Sequence, residues 1–588
     1  MIPPDLVLLL LLLLLGWLWI WGECWNPLRT SCFLQPDGHG DPVQHYLGWR
    51  AYAAASPGSL IPPLINRWTW PNPVPLIYAD SIPLAAILMR PVQQLVGRDF
   101  QYFSLVSIVS VLATGVLGHR IGQVVTGSRG CAFCLGLSLG LAPPMVMRLF
   151  SHEALSLQLF IIWPLALLIG RDGRFWPWAL LLALVSGVHP YGVALVLPLL
   201  LIRLLSPECP PSALAVNLGE RMAAALAVRL PPRVLEGLLQ ALVLAVAMLV
   251  YGYGSGEMDT APAWAGSWSA NVLSLLDSAN LSPIVPPIGK HEPFQVEGVA
   301  YPGLFVILSA PLLWLLGRRR QQRPRGLFPS PPLFWGVLVL MLVFAWGSTW
   351  YVGPQAVLDL SALRDQPVLG LPWRTLRASG RFVWPLYYAL MIWTFCRSWT
   401  LFRSRSWRIV LLVVVLLSLV ESHSIPMQAA HNHFQWRQRP LKGSSAPVPA
   451  LLADFARRPG SAVINVTADP LRSLPQVPSM ALQRVAPALI TNHAPHLARY
   501  PRHMLVATGA DDCRRLATLI EQHAAIAERA WFIAESRRIQ GCQPQPGWRV
   551  QQVLDLPPDH QLVRLAPCVG ARCRQSLSDV ELKSANPR

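Results

Sequence analysis

Asp80-Ser81-Ile82-Pro83-Leu84-Ala85-Ala86-Ile87-Leu88-Met89-Arg90-Pro91-Val92-Gln93-Gln94-Leu95-Val96 decides the topology of this chain. The segment is apolar enough to suggest a membrane crossing, yet it carries Pro83, Arg90 and Pro91. If it crosses, every later loop changes side, and Arg318-Arg319-Arg320 with Arg323 and Arg325 falls outside. If it lies in the interface or re-enters, that cluster falls inside, as do Arg397, Arg403, Arg405 and Arg408. Loops on the cytoplasmic side carry an excess of Lys and Arg. The sequence therefore predicts a segment that does not span.

The composition makes the membrane the right frame. The chain is 53% hydrophobic and only 13% charged, with 24 tryptophans, and its mean hydropathy is +0.40. Soluble domains carry about 25% charged residues, and indole rings favour the headgroup zone. A net charge of +18 in a soluble protein would raise nucleic acid as a partner. Here the arginines flank apolar runs and no aromatic-interleaved basic groove is visible, so no nucleic-acid partner is expected.

Runs long enough to span lie near 4–22, 101–119, 130–149, 154–170, 236–253, 301–317, 331–347, 381–397 and 408–422. The stretch 175–204 breaks at Gly187-Val188-His189-Pro190-Tyr191, because the residue before a proline disfavours the helix. Counting it as two gives an expected eleven spans. The first run lacks a basic region before it and is read as an uncleaved span. With the amino terminus inside, loops 23–100, 150–153, 189–191, 254–300 and 348–380 lie outside, with everything after 423. The inside loop 204–233 reads as a surface helix on the membrane.

Residues 424–588 read as a separate external α/β domain, and 1–423 as the membrane domain. Strand-like runs occur at 462–467, 504–508, 531–534, 550–554 and 561–565, with a helix from Asp511 or Asp512 to about Ala530. Six cysteines fall outside: Cys24, Cys32, Cys513, Cys542, Cys568 and Cys573. An even external number suits an oxidising compartment and bridges such as Cys24–Cys32 and Cys568–Cys573, though connectivity does not follow from sequence. Cys131 and Cys134 have CxxC spacing in an apolar helix without a second pair, and read as core thiols.

The external loops gather the acids and imidazoles. Asp41 and His45 are four apart and share a face if helical. Asp41 is the candidate catalytic base, placed just beyond a span to deprotonate a hydroxyl at the membrane surface. His152 and Glu153, squeezed between two spans, are candidate catalytic residues because ionisable pairs at such places mark function. His45, Asp80, His189, Tyr191 and Glu297 are candidate substrate contacts. Arg377 and Arg381 are basic residues on the acid side, suited to a phosphate, with Lys290 as a weaker helper. Asp41, Asp80, His152 and Glu153 could hold a divalent cation, but no tight ligand spacing exists, so no metal ligand is assigned. P-loop, GxSxG and HExxH motifs are absent from the sequence.

An acidic residue in a large first external loop, a second ionisable motif after the third span and a polar tail outside resemble GT-C-type glycosyltransferases. More narrowly, Gly40-Asp41-Pro42-Val43-Gln44-His45-Tyr46-Leu47-Gly48-Trp49, Tyr78-Ala79-Asp80-Ser81-Ile82-Pro83, Arg148-Leu149-Phe150-Ser151-His152-Glu153-Ala154-Leu155, His189-Pro190-Tyr191, Glu297-Gly298 and Gly380-Arg381-Phe382-Val383-Trp384 resemble a bacterial multispan family of that type, over about residues 5–425.

The resemblance implies a polytopic enzyme of the bacterial inner membrane that takes a sugar from a polyprenyl-phosphate donor on the periplasmic face. Asp41 matches the family's first-loop base, and Glu153 or His152 its second site. The first loop has no paired acidic dipeptide, which departs from the protein-mannosyltransferase pattern; the acceptor, whether glycan, lipid or protein, stays open. The implied reaction is inverting transfer, with Arg377 and Arg381 holding the leaving phosphate. The rival readings are a lipid-linked saccharide flippase and a non-catalytic scaffold of envelope glycan assembly.

Overall fold

In the computed structural model Pro83–Val96 is one helix of 14 residues. At 1.5 Å per residue it spans about 21 Å, short of the roughly 30 Å hydrocarbon core. Pro83, Ala86 and Arg90 form its buried side, while Leu95 is 87% exposed and Leu88 is also exposed. Apolar side chains face out and the arginine faces in, the reverse of a water-soluble surface helix. The backbone N–H of Leu84 donates to the carbonyl of Gly187 at 2.8 Å. The segment is thus tied at its start to the predicted break.

The structure describes residues 4–34, 41–53, 60–65, 74–96, 100–149, 151–226, 230–253, 268–289, 293–319, 326–402, 404–438, 462–465, 530–535, 548–556 and 560–567. The chain divides into two compact units. The first comprises Met1–Cys32, Ile82–Tyr251 and Thr260–Gln438, and the second Phe33–Ser81, Gly252–Asp259 and Arg439–Arg588.

The first unit is helical. Among the described residues four helices are long and apolar enough to cross a membrane: Phe103–Thr126, Arg129–Val146, Pro232–Val250 and Arg405–Arg437. Shorter apolar helices cover Val7–Gly16, Glu153–Ile169, Phe175–Ser186, Pro190–Leu205, Leu304–Leu316 and Pro331–Ala345. The stretch 175–204 breaks between Ser186 and Pro190, where His189 caps the second helix. The loop 204–233, expected inside, contains a helix, Ala213–Leu226.

Small residues let the first long helices pack closely. A Cβ at Gly122 would lie 2.7 Å from Ala132 Cα, so the backbones of Phe103–Thr126 and Arg129–Gly140 meet almost in contact. Without water to drive association, this van der Waals approach holds helices together in lipid. A second device is ionic. Arg203 meets Glu236 at 2.7 Å, both buried, and lies 5.8 Å from the Trp178 ring.

The expected domain boundary at 423/424 falls inside a helix. Arg405–Arg437 runs for 33 residues, about 50 Å, and the first unit closes at Gln438. The polar residues after 423 carry no hydropathy signal, yet Ala430, Phe434 and Arg437 form a buried side that continues the helix inward.

The expected bridge Cys24–Cys32 is present, with Cα atoms 5.8 Å apart. Cys131, Cys134, Cys209 and Cys396 are free and buried. Cys513, Cys542, Cys568 and Cys573 lie outside the described residues. Cys32→Ser is expected to destabilise the protein by about 2–4 kcal/mol, seen as a lower melting midpoint in detergent; an unchanged midpoint would show the bridge to be idle.

In the second unit, Asp41–Ala53 is a helix and Leu76–Ala79 a short 3-10 turn. The two-residue strands Leu64–Ile65 and Val74–Pro75 pair antiparallel. Ala462–Asn465, Ala530–Glu535, His560–Pro567 and Trp548–Leu556 form a four-stranded sheet in that order. The first pair is parallel and the others are antiparallel. Four of the predicted strand-like runs thus fall on strands, while 504–508 and the helix expected over 511–530 lie outside the described residues. A hairpin of the first unit, Thr349–Val352 with Gln355–Asp359, had no signal in the pattern.

Candidate functional site

Arg148 and Arg381 grip one carboxylate. Arg148 Nη1 donates to Glu297 Oε1 at 2.9 Å, and Arg381 Nε donates to Glu297 Oε2 at 2.7 Å, all three side chains being buried. Each comes from an irregular piece of chain. Arg148 follows the short helix Pro143–Val146. Glu297 lies in the 3-10 turn Pro293–Gly298. Arg381 lies in the 3-10 turn Ser379–Val383, just before the helix Trp384–Leu401.

Glycines make this meeting possible. A Cβ at Gly298 would lie 2.4 Å from Ala270 Cβ, and one at Gly380 would lie 2.9 Å from the Gly298 nitrogen. The Gly380 N–H donates to the Trp268 carbonyl at 3.0 Å. The chains carrying Glu297 and Arg381 therefore run side by side, with no room for a side chain between them. Gly298→Ala or Gly380→Ala is expected to cost several-fold in folded yield, since overpacking costs about 1–3 kcal/mol; wild-type yield and melting would contradict this.

Aromatic rings complete the walls. The Arg381 guanidinium lies 4.3 Å from the Tyr191 ring centroid, and that of Arg148 lies 5.8 Å from Trp384. Tyr191 is oriented at both ends. Its hydroxyl accepts from the Ala378 N–H at 2.7 Å, and its backbone N–H donates to His189 Nδ1 at 3.1 Å. In the neutral His189 ring the proton therefore sits on Nε2. His152 meets His189 edge-on, with ring centroids 5.3 Å apart.

The electrostatics keep Glu297 ionised. Burial alone would raise the Glu297 carboxyl, but Arg148 and Arg381 outweigh it and hold it at about 2, with His152 adding to the pull. One carboxylate neutralises one of two guanidinium charges, so these three groups carry a net excess of one positive charge. Arg377 adds a further positive field at Tyr191.

Glu153 belongs elsewhere. It meets Arg437 Nη1 at 3.3 Å, and both side chains are 0% exposed. Its carboxylate is engaged by a buried arginine, although it adjoins His152 in sequence. Arg381, expected as a direct phosphate ligand, is partly engaged by Glu297.

Of the other expected residues, Asp41 and His45 share the helix Asp41–Ala53 in the second unit, with Asp41 in its first turn, where a negative charge is favoured. His45 is buried, and its carbonyl accepts from the Ser81 hydroxyl at 2.7 Å. Asp80 adopts the left-handed conformation with φ 53° and ends the turn Leu76–Ala79. Lys290 lies outside the described residues.

Arg148 and Arg437 were not among the expected residues. For Arg148 the signal was present, since it is a lone charge in an apolar stretch. For Arg437 there was none, because it looks like one more arginine in a polar segment. The family model described as a domain of unknown function, DUF6311, matches residues 8–422. No curated protein matches the chain.

Proposed function

This chain belongs to the DUF6311 family, and from its site we propose that it is a membrane glycosyltransferase of GT-C type using a polyprenyl-phosphate sugar donor. The observation that carries this reading is the convergence of two buried guanidinium groups, Arg148 and Arg381, on Glu297. A leaving lipid phosphate gains negative charge in the transition state. Preorganised guanidinium groups stabilise it without reorganisation at the moment of reaction. Glu297 ties the two arginines together, and the Arg381 guanidinium lies over the Tyr191 ring. Arg377 supplies additional positive field.

In this reading transfer is inverting. Asp41 takes the proton of the acceptor hydroxyl as the acceptor oxygen attacks the anomeric carbon and the phosphate oxygen departs. The base assignment rests on the sequence alone. So do the eleven-span arrangement, the bacterial inner membrane, the external face of the reaction and an α/β fold for the tail. Wild-type protein with a polyprenyl-phosphate sugar is expected to release free polyprenyl phosphate. Arg381→Gln should lower that rate about 100–1,000-fold, and Asp41→Asn should abolish it while expression is intact. Full turnover in Arg381→Gln would refute the phosphate role. A flippase would bind the same donor and release no free polyprenyl phosphate.

A further inference from the structure

A cavity of about 360 Å³ lies between residues 18–25, after the first apolar helix, and residues 431–438, at the end of the longest one. This volume is at the lower end of small-ligand sites, about 300–1,000 Å³. It shares no residue with the arginine–glutamate cluster.

The cavity is built rather than left over. The chain leaves Pro4–Gly16 through a π-helical turn, Trp17–Trp21, a rare form often found at functional sites. Gly22 then turns the chain with φ +51°, and a Cβ there would meet Gln438 Nε2 at 2.9 Å. Cys24 fixes the next residues: its sulfur is bonded to Cys32 and lies 3.8 Å from the Phe434 carbonyl. Buried Ile20 and Phe434 give an apolar floor.

The rim has a different chemistry. Glu23 is paired with Arg29 at 2.6 Å, so its charge is compensated. Gln435 and His431 approach each other at 2.8 Å, and Gln438 adds a second amide. The Trp25 indole is 47% exposed at the edge. Among the described residues no lysine or arginine lines the cavity, which disfavours an anionic ligand. A hydrocarbon tail would leave the carboxylate, imidazole and amides facing an apolar group, at a cost.

We propose that this cavity binds a neutral sugar ring. Hydroxyls both donate and accept, and so match amides, imidazole and carboxylate together. The C–H faces of a pyranose match the indole of Trp25 and the apolar floor. The site lies at the polar end of Arg405–Arg437, beyond its apolar stretch. The inference does not require the chain to transfer sugar, because it is read by binding.

The test is saturation-transfer NMR on the full chain in nanodiscs, free of sugar-headed detergent. The probes are glucose, mannose, N-acetylglucosamine and the β-linked disaccharide of each. At least one probe should receive saturation at its ring protons, falling roughly fivefold or more in Trp25→Ala and in Gln435→Ala. Both positions are exposed, so both variants should fold, as checked by circular dichroism. Saturation of none of the probes, or equal saturation in both variants, overturns the proposal. So does Trp25-dependent saturation of phospholipid acyl protons alone. Absent transfer with intact sugar contact sinks the transferase reading only, and the converse result sinks this one only.

Discussion

Glu297→Gln is expected to be among the most damaging single changes to the first unit. The substitution keeps the shape and removes the charge that Arg148 and Arg381 share. Two buried guanidinium groups then lose the carboxylate they share. Removing one partner of a buried pair costs about 3–5 kcal/mol. Folded yield and melting midpoint in detergent should both fall sharply, and a midpoint equal to wild type would show the cluster to be solvated rather than buried.

The pH dependence follows from the same group. Its carboxyl is held below the ordinary 4.5, at about 2. A depressed acid contributes stability that is complete above its unfolded value and is lost as pH falls through its folded one. The Glu297 contribution is therefore constant at neutral pH and declines between about 4.5 and 2. Glu297→Gln should flatten that part of the melting-versus-pH curve. An acid limb unchanged in the variant would assign it to other carboxylates.

Glu153→Leu and Arg437→Leu are each expected to cost about 3–5 kcal/mol, and the double substitution far less than their sum. Both side chains are fully buried, so either single change takes an ion-pair partner from a charge in the interior. Replacing both with apolar groups removes the desolvation cost together with the attraction. The double variant separates structure from chemistry at Glu153. If Glu153 only positions the chain, the double variant regains stability and polyprenyl-phosphate release together. If Glu153 also acts on substrate, stability returns and turnover does not. Additive losses in the double variant would mean that the two residues do not act as a pair.

The candidate site was legible in part. His189-Pro190-Tyr191 stood out because a polar triplet interrupts an apolar run, and the structure places all three at one helix start. Glu297 and Arg381 were each singled out, but for separate reasons. Nothing in their spacing of 84 residues says that they touch. Arg148 was visible as a charge in an apolar stretch without a partner to name. Glu153 was singled out beside His152, but its ion pair with Arg437 was not legible, because the two lie 284 residues apart.

Hydropathy by itself determined the helical, membrane-type character of the chain, because burial in lipid demands long apolar helices with satisfied backbones. It also located the break at His189, because proline acts on its immediate neighbour. The charge pattern argued that Asp80–Val96 does not span, and the 14-residue helix found there is short for a crossing. Only the tertiary structure decided which charge meets which. Ion pairing depends on distance in space, and a sequence records distance along the chain. Glu297 could therefore be noticed as an acid, but its role as the anion between two arginines exists only once Gly298 and Gly380 let their strands of chain close up.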